Sequence, residues 1–196
     1  MKTKNYKIRK VANAIIYFLD NNVKYLGTTK IMKLLFFADK YFINETSKTM
    51  FNYSYIKRER GPVPTEIHSI IKSIQAGSED IDYQNDEQVF QEYLKISRPA
   101  NSDNRSNTEF QKIKDFDKRF FSSKQLEILN RVISEFKDID KNEISEISHN
   151  EKCWKFAKIG EQIGFSEMAD NKTTQNHIRE TSREYENFRK NMLGKI

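Results

Sequence analysis

Apolar positions recur every three or four residues along most of the chain, the period of helices with one buried stripe. Over 6–20 the stripe is Ile8, Val11, Ala12, Ile15, Phe18 and Leu19, broken by Asn21, Asn22 and Gly27. A second helix is expected from Thr28 or Thr29, whose hydroxyls can accept from first-turn N–H groups, to about Ile43. Its stripe of Ile31, Leu34, Leu35, Ala38 and Phe42 is widened by Phe36, Phe37 and Tyr41, which predicts a central helix buried on most sides. The period changes over 51–57, where Phe51, Tyr53 and Tyr55 alternate with polar residues as in a short strand. Gly61-Pro62-Val63-Pro64 reads as a fixed strand-to-helix turn, with proline suited to the first helical position. Ile67, Ile70, Ile71 and Ile74 make the next stretch a helix ended by Gly77. Residues 82–85 and 88–96 predict a hairpin around Asn85-Asp86-Glu87.

Residues 99–108 are polar and aperiodic, a surface loop and the one plausible internal linker. Ser122 and Gln125 have capping-box spacing ahead of Leu126, Leu129, Ile133 and Phe136. A short helix about 141–148 leads through an Asn150–Lys152 corner to Trp154, Phe156, Ala157 and Ile159, the pattern of a core anchored by Trp154. Residues 174–193 form a last helix whose sparse apolar positions are Ile178, Tyr185, Phe188 and Met192. These four suit a groove on a partner, or packing against the N-terminal helices. The fold class that follows is mostly α with a small antiparallel β element (α+β). One compact helical domain over 1–170 carries a C-terminal helical extension over 171–196.

Composition narrows the function classes. The chain has 196 residues and one cysteine, which excludes a disulfide framework and a Cys-rich zinc site. No run of about 18 apolar residues and no signal-peptide pattern is present, so a soluble, cytoplasmic protein is expected. The net charge of +6 is unevenly spread: residues 1–60 hold thirteen basic and four acidic side chains. That basic third could contact nucleic acid, but no recognition motif interleaves it, and a lysine-rich surface is the plainer reading. Glu79, Asp80, Asp82, Asp86 and Glu87 lack the pattern of a calcium loop and read as solvated surface. His149 and Cys153 are spaced i, i+4, half a metal site or a thiol–imidazole pair at best. A structural histidine beside a buried cysteine explains them more simply. No catalytic, metal or cofactor motif emerges, and a non-enzyme is expected.

Three blocks together resemble a known family. Lys30-Ile-Met-Lys33-Leu34-Leu35-Phe-Phe-Ala-Asp39 is similar to the K-L-L-Y-x-A-D helix of the Panacea domain, also called the SocA-like antitoxin domain. The tract Tyr53–Pro64, with Tyr55, Gly61 and Pro62, resembles that family's Y-x-x-x-x-x-GPV segment. Ile144–Trp154, with His149, resembles its L-S-x-x-x-H-x-E-x-x-W signature, with isoleucine in place of leucine. The blocks stand in family order within about 6–168. The resemblance implies an antitoxin of a bacterial or phage toxin–antitoxin pair. Such a protein neutralises a cognate toxin by direct binding, the toxin being encoded by the adjacent gene, and one relative acts as a proteolytic adaptor. The motif residues themselves look architectural: Lys33 can cover apolar surface with its stem, and Asp39 suits a cap or salt bridge. His149 and Trp154 suit a tie between the C-terminal helices and the core. The alternative from another class is a basic nucleic-acid-binding regulator.

Overall fold

A computed structural model describes residues 2–77, 84–98 and 108–193. Helices α1 (Lys2–Asp20) and α2 (Thr28–Thr46) open the chain. A hairpin of β1 (Tyr55–Arg58) and β2 (Gly61–Pro64) leads into α3 (Thr65–Ala76). Then come α4 (Gln84–Gln91) and a second antiparallel pair, β3 (Leu94–Ser97) and β4 (Glu109–Lys112). The C-terminal half holds α5 (Ser123–Phe136), α6 (Lys141–His149) and the short α7 (Lys152–Phe156). It ends with β5 (Gln162–Ile163), α8 (Phe165–Met168) and α9 (Lys172–Leu193). Strand β5 pairs antiparallel with β1, so the larger sheet runs β2-β1-β5. The class is mostly α with small antiparallel sheets.

Helix α2 is the centre. Every residue from Lys30 to Lys40 is buried, including three lysines and Asp39, and its neighbours include α5, α6 and β2. The wide apolar face forces this placement, because no single neighbour could remove it from water. Ser122 and Gln125 form the expected capping box on α5, and Gly77 ends α3 with φ 63°.

Several expectations are corrected. The strand of 51–57 begins only at Tyr55, because Asn52 takes a left-handed backbone (φ 59°) that no strand continues through. Gly61-Pro62 turns the chain strand to strand rather than strand to helix. Arg58 sits opposite Gly61, and the chain stays extended until Pro64 has paired with Tyr55. Pro64 is therefore the N-cap of α3 and not its first residue. Gly27, not a threonine hydroxyl, is the N-cap of α2, and the Thr28 hydroxyl bonds Thr108 Oγ1 at 2.7 Å. The hairpin around Asn85 is instead α4, since Asp86, Glu87, Val89 and Phe90 bury one helical face. Strand β3 finds its partner across the chain in β4. Asp86 and Glu87 are accordingly buried, not solvated, in the first turn of α4, the end of a helix dipole that favours negative charge. Of the expected surface loop over 99–108, residues 99–107 lie outside the described residues, as do the acidic residues 79, 80 and 82, and Thr108 is buried rather than on the surface. Among the described residues no helix is long and apolar enough to cross a membrane.

Candidate functional site

The three motif blocks converge on the β1–β2 hairpin. Lys33 reaches off α2 so that its ammonium donates to the Pro62 carbonyl at 2.8 Å, and it is 1% exposed. Burial pulls its pKa down to about 7, since one carbonyl is a poor substitute for a hydration shell. Gly61 has φ 97°, and a side chain there would overlap Ser148 Oγ of α6 and the end of Lys33. That close approach is the physical reason for glycine at this point. Leu34 and Leu35 are core residues.

One and a half turns along α2, Asp39 sits fully buried beneath the same hairpin. Its Oδ1 accepts from the Met50 and Phe51 N–H groups at 2.6 and 3.1 Å, and the Tyr55 hydroxyl donates to Oδ2 at 2.7 Å. Burial raises its pKa to about 6 against the pull of these three donors. Asp39 thus supports the chain entering β1, where two backbone N–H groups would otherwise lack partners.

His149 and Trp154 close the arrangement from the C-terminal half. Their rings stack at 4.1 Å and 17°, Trp154 Nε1–H donates to the Arg58 carbonyl at 3.2 Å, and the Lys57 ammonium lies 4.0 Å from the Trp154 ring centre. The Trp154 ring is only half-buried, Phe156 is 86% exposed and Ile159 60% exposed. The expected core anchor is therefore a surface clasp onto β1. Ser148 and Cys153 occupy the inward positions on either side of this corner.

The chemistry open to these groups is limited. Lys33 and Ser148 approach each other through Gly61, but both are sealed at 1% and 0% exposure. Burial pushes the Cys153 thiol up to about 12, the opposite of an activated nucleophile. His149 stacks on Trp154, with Nδ1 3.9 Å from Glu146. Among the described residues no group of three or more His, Cys, Asp or Glu side chains could hold a metal ion.

Sequence reasoning missed the buried cations. Lys30 directs its three N–H donors at the Lys24, Lys137 and Ile139 carbonyls, at 2.6, 3.1 and 2.6 Å. Lys40 pairs with Asp170 and Glu151, the glutamate of the third motif block, at 2.7 and 3.1 Å. Lys57 donates to the Ala157 carbonyl at 3.0 Å. No local pattern distinguishes such lysines from surface ones.

On α9, Ile178 is buried, whereas Tyr185 and Phe188 are more than 60% exposed. The side chain of Met192 lies outside the described residues. Among the described residues the helix docks near its start: Gln175 Nε2–H donates to the Ala169 carbonyl at 2.8 Å and Arg179 pairs with Glu167 at 3.1 Å. Its packing is against α8 rather than the N-terminal helices.

No characterised protein and no solved structure matches the chain. The family described as antitoxin SocA-like, Panacea domain, matches residues 31–155, a span that begins beside Lys33 and ends just past the Trp154 clasp. That match covers well over half of the chain and contains the hairpin on which those blocks converge, and the chain belongs to the SocA-like antitoxin, Panacea domain, family.

Proposed function

We propose that this chain is a cytoplasmic antitoxin that neutralises a cognate toxin, encoded by the adjacent gene, through direct protein–protein binding rather than catalysis. Family membership over 31–155 carries the reading. The interior supports it. Lys33, Asp39, Tyr55, Gly61 and Pro62 are all buried and bonded to one another's elements, so the shared residues hold a scaffold and leave the outer surface to choose the partner. Tyr185 and Phe188, on the outer half of α9, belong to that outer surface.

The test is co-expression. The adjacent open reading frame should arrest growth alone, be harmless with this chain, and co-purify with it. A toxin that disappears rather than accumulating in the complex assigns the chain a proteolytic-adaptor role. A neighbour that is harmless alone, or toxic regardless of this chain, overturns the reading.

A further inference from the structure

Residues Trp154–Glu161 form a knuckle that presents apolar side chains outward from a fixed backbone. Lys57 grips it three ways: its N–H donates to the Glu161 carbonyl at 2.9 Å, its carbonyl accepts from Gly160 N–H at 2.9 Å, and its ammonium holds the Ala157 carbonyl. Gly160, at φ 85°, reverses the chain. Glu161 turns back to accept from the Lys158 N–H at 2.6 Å. Phe156 and Ile159 are therefore exposed because the loop is held that way, not because it frays. A lone exposed apolar residue needs no explanation, but a phenylalanine 86% in water on a pinned loop is a preorganised anchor.

The charge around it names the occupant's chemistry. Over 58–60 and 152–162 the exposed charges are five cations, Arg58, Arg60, Lys152, Lys155 and Lys158, against Glu59 and Glu161. Among the described residues none of the five cations is in an ion pair. By contrast, Tyr185 and Phe188 on α9 stand among charges of both signs, Arg183, Glu184, Glu186 and Arg189, which select nothing. A basic, aromatic surface also suits single-stranded nucleic acid, but the Trp154 ring is already taken by His149 and Lys57, which leaves Phe156 as the one ring of the knuckle free to stack on a base. Ile159 offers a base no stacking surface.

We infer that the Phe156–Ile159 knuckle is the contact surface for the partner protein, seating both side chains in an apolar groove with an acidic rim. This rests on the antitoxin reading above. The variant Phe156→Ala/Ile159→Ala, in the full chain, is tested against the product of the adjacent reading frame and a 20-nucleotide single-stranded RNA. The expected result is an unchanged melting temperature with at least tenfold weaker protein binding, equivalent to ~1.4 kcal/mol, expressed mainly as faster dissociation. Lys155→Glu/Lys158→Glu, which leaves the apolar pair intact, should slow association and flatten its salt dependence. Wild-type affinity and neutralisation in the first variant overturn the surface and leave the antitoxin reading standing. Loss of RNA binding with protein binding intact overturns it in favour of nucleic acid. A wild-type chain that neither binds nor neutralises its neighbour's product overturns both.

Discussion

The Tyr55 hydroxyl has one proton and two acceptors within reach, Asp39 Oδ2 at 2.7 Å and the Leu35 carbonyl at 3.1 Å. With Asp39 ionised, the proton serves the carboxylate. With Asp39 protonated, its own O–H can donate to Tyr55, and Tyr55 to Leu35, so every group is bonded. Because the folded pKa is raised to about 6, the folded state holds this proton where the unfolded chain has lost it. The resulting stability is fully present below the unfolded pKa and lost as pH rises from about 4 through 6, on the order of 2–3 kcal/mol. Asp39→Asn mimics the protonated form, since its amide N–H can donate to Tyr55. Urea unfolding of the variant should lack that decline, and parallel wild-type and variant curves would refute the account. Trp154→Phe keeps the stack on His149 but loses the bond to Arg58, and is expected to cost about 1 kcal/mol. Trp154→Ala should cost about 2–3 kcal/mol by thermal or chemical melting, below the ~3–5 typical of a fully buried aromatic. The sequence names this tryptophan but not its depth: its neighbours Phe156 and Ile159 are as apolar as core residues, and it is the grip of Lys57 with the reversal at Gly160 that holds them outward.

At the scale of elements, periodicity reveals what is local and hides what is not. Ile8–Leu19, the α3 isoleucines and the Ser122–Gln125 box each carry their own signal within about three turns or fewer, and each forms where expected. Val89/Tyr93 and Phe90/Leu94 are alternating positions of a strand and also i, i+4 pairs of a helix, so one pattern fits both periods. Which period wins depends on α1, against which α4 packs. The partner of β3 is separated from it by more than ten residues, beyond any hairpin rule. Helix α9 shows the same limit: its four apolar positions look equivalent in sequence, yet only Ile178 is buried among those described. Ending the chain after Glu180 keeps Gln175, Ile178 and Arg179 and should leave the melting temperature unchanged. Ending it before Lys172 removes all three and should lower stability by ~2 kcal/mol. Equal melting of the two truncations would show that Ile178 adds nothing.

Across the whole molecule, the charge total misstates the surface. Five of the thirteen basic residues in 1–60, namely Lys10, Lys30, Lys33, Lys40 and Lys57, are buried. They act as struts between distant parts of the chain: Lys30 spans 107 and 109 residues to its carbonyls, and Lys40 spans 130 to Asp170. A cation inside the fold neutralises no phosphate. Binding to duplex DNA or RNA is therefore expected only at low salt, fading by about 0.15 M without sequence preference. A specific shift that survives 0.15 M salt would restore the basic face as a nucleic-acid surface.

Lys33 also makes the hairpin a chemical one-way gate. Its amine is sealed against Gly61, which has no room for an added atom, so an acyl reagent can reach it only when the hairpin lifts away. An acetyl group acquired in that instant cannot be fitted back beside Gly61 and Ser148. Each opening caught by reagent is then permanent. Mass spectrometry should find acetylation of Lys33 far behind that of the exposed Lys155 and Lys158, and advancing at the same pace as loss of the folded protein. Acetylation of Lys33 in a chain that still melts normally would mean the seal is not tight.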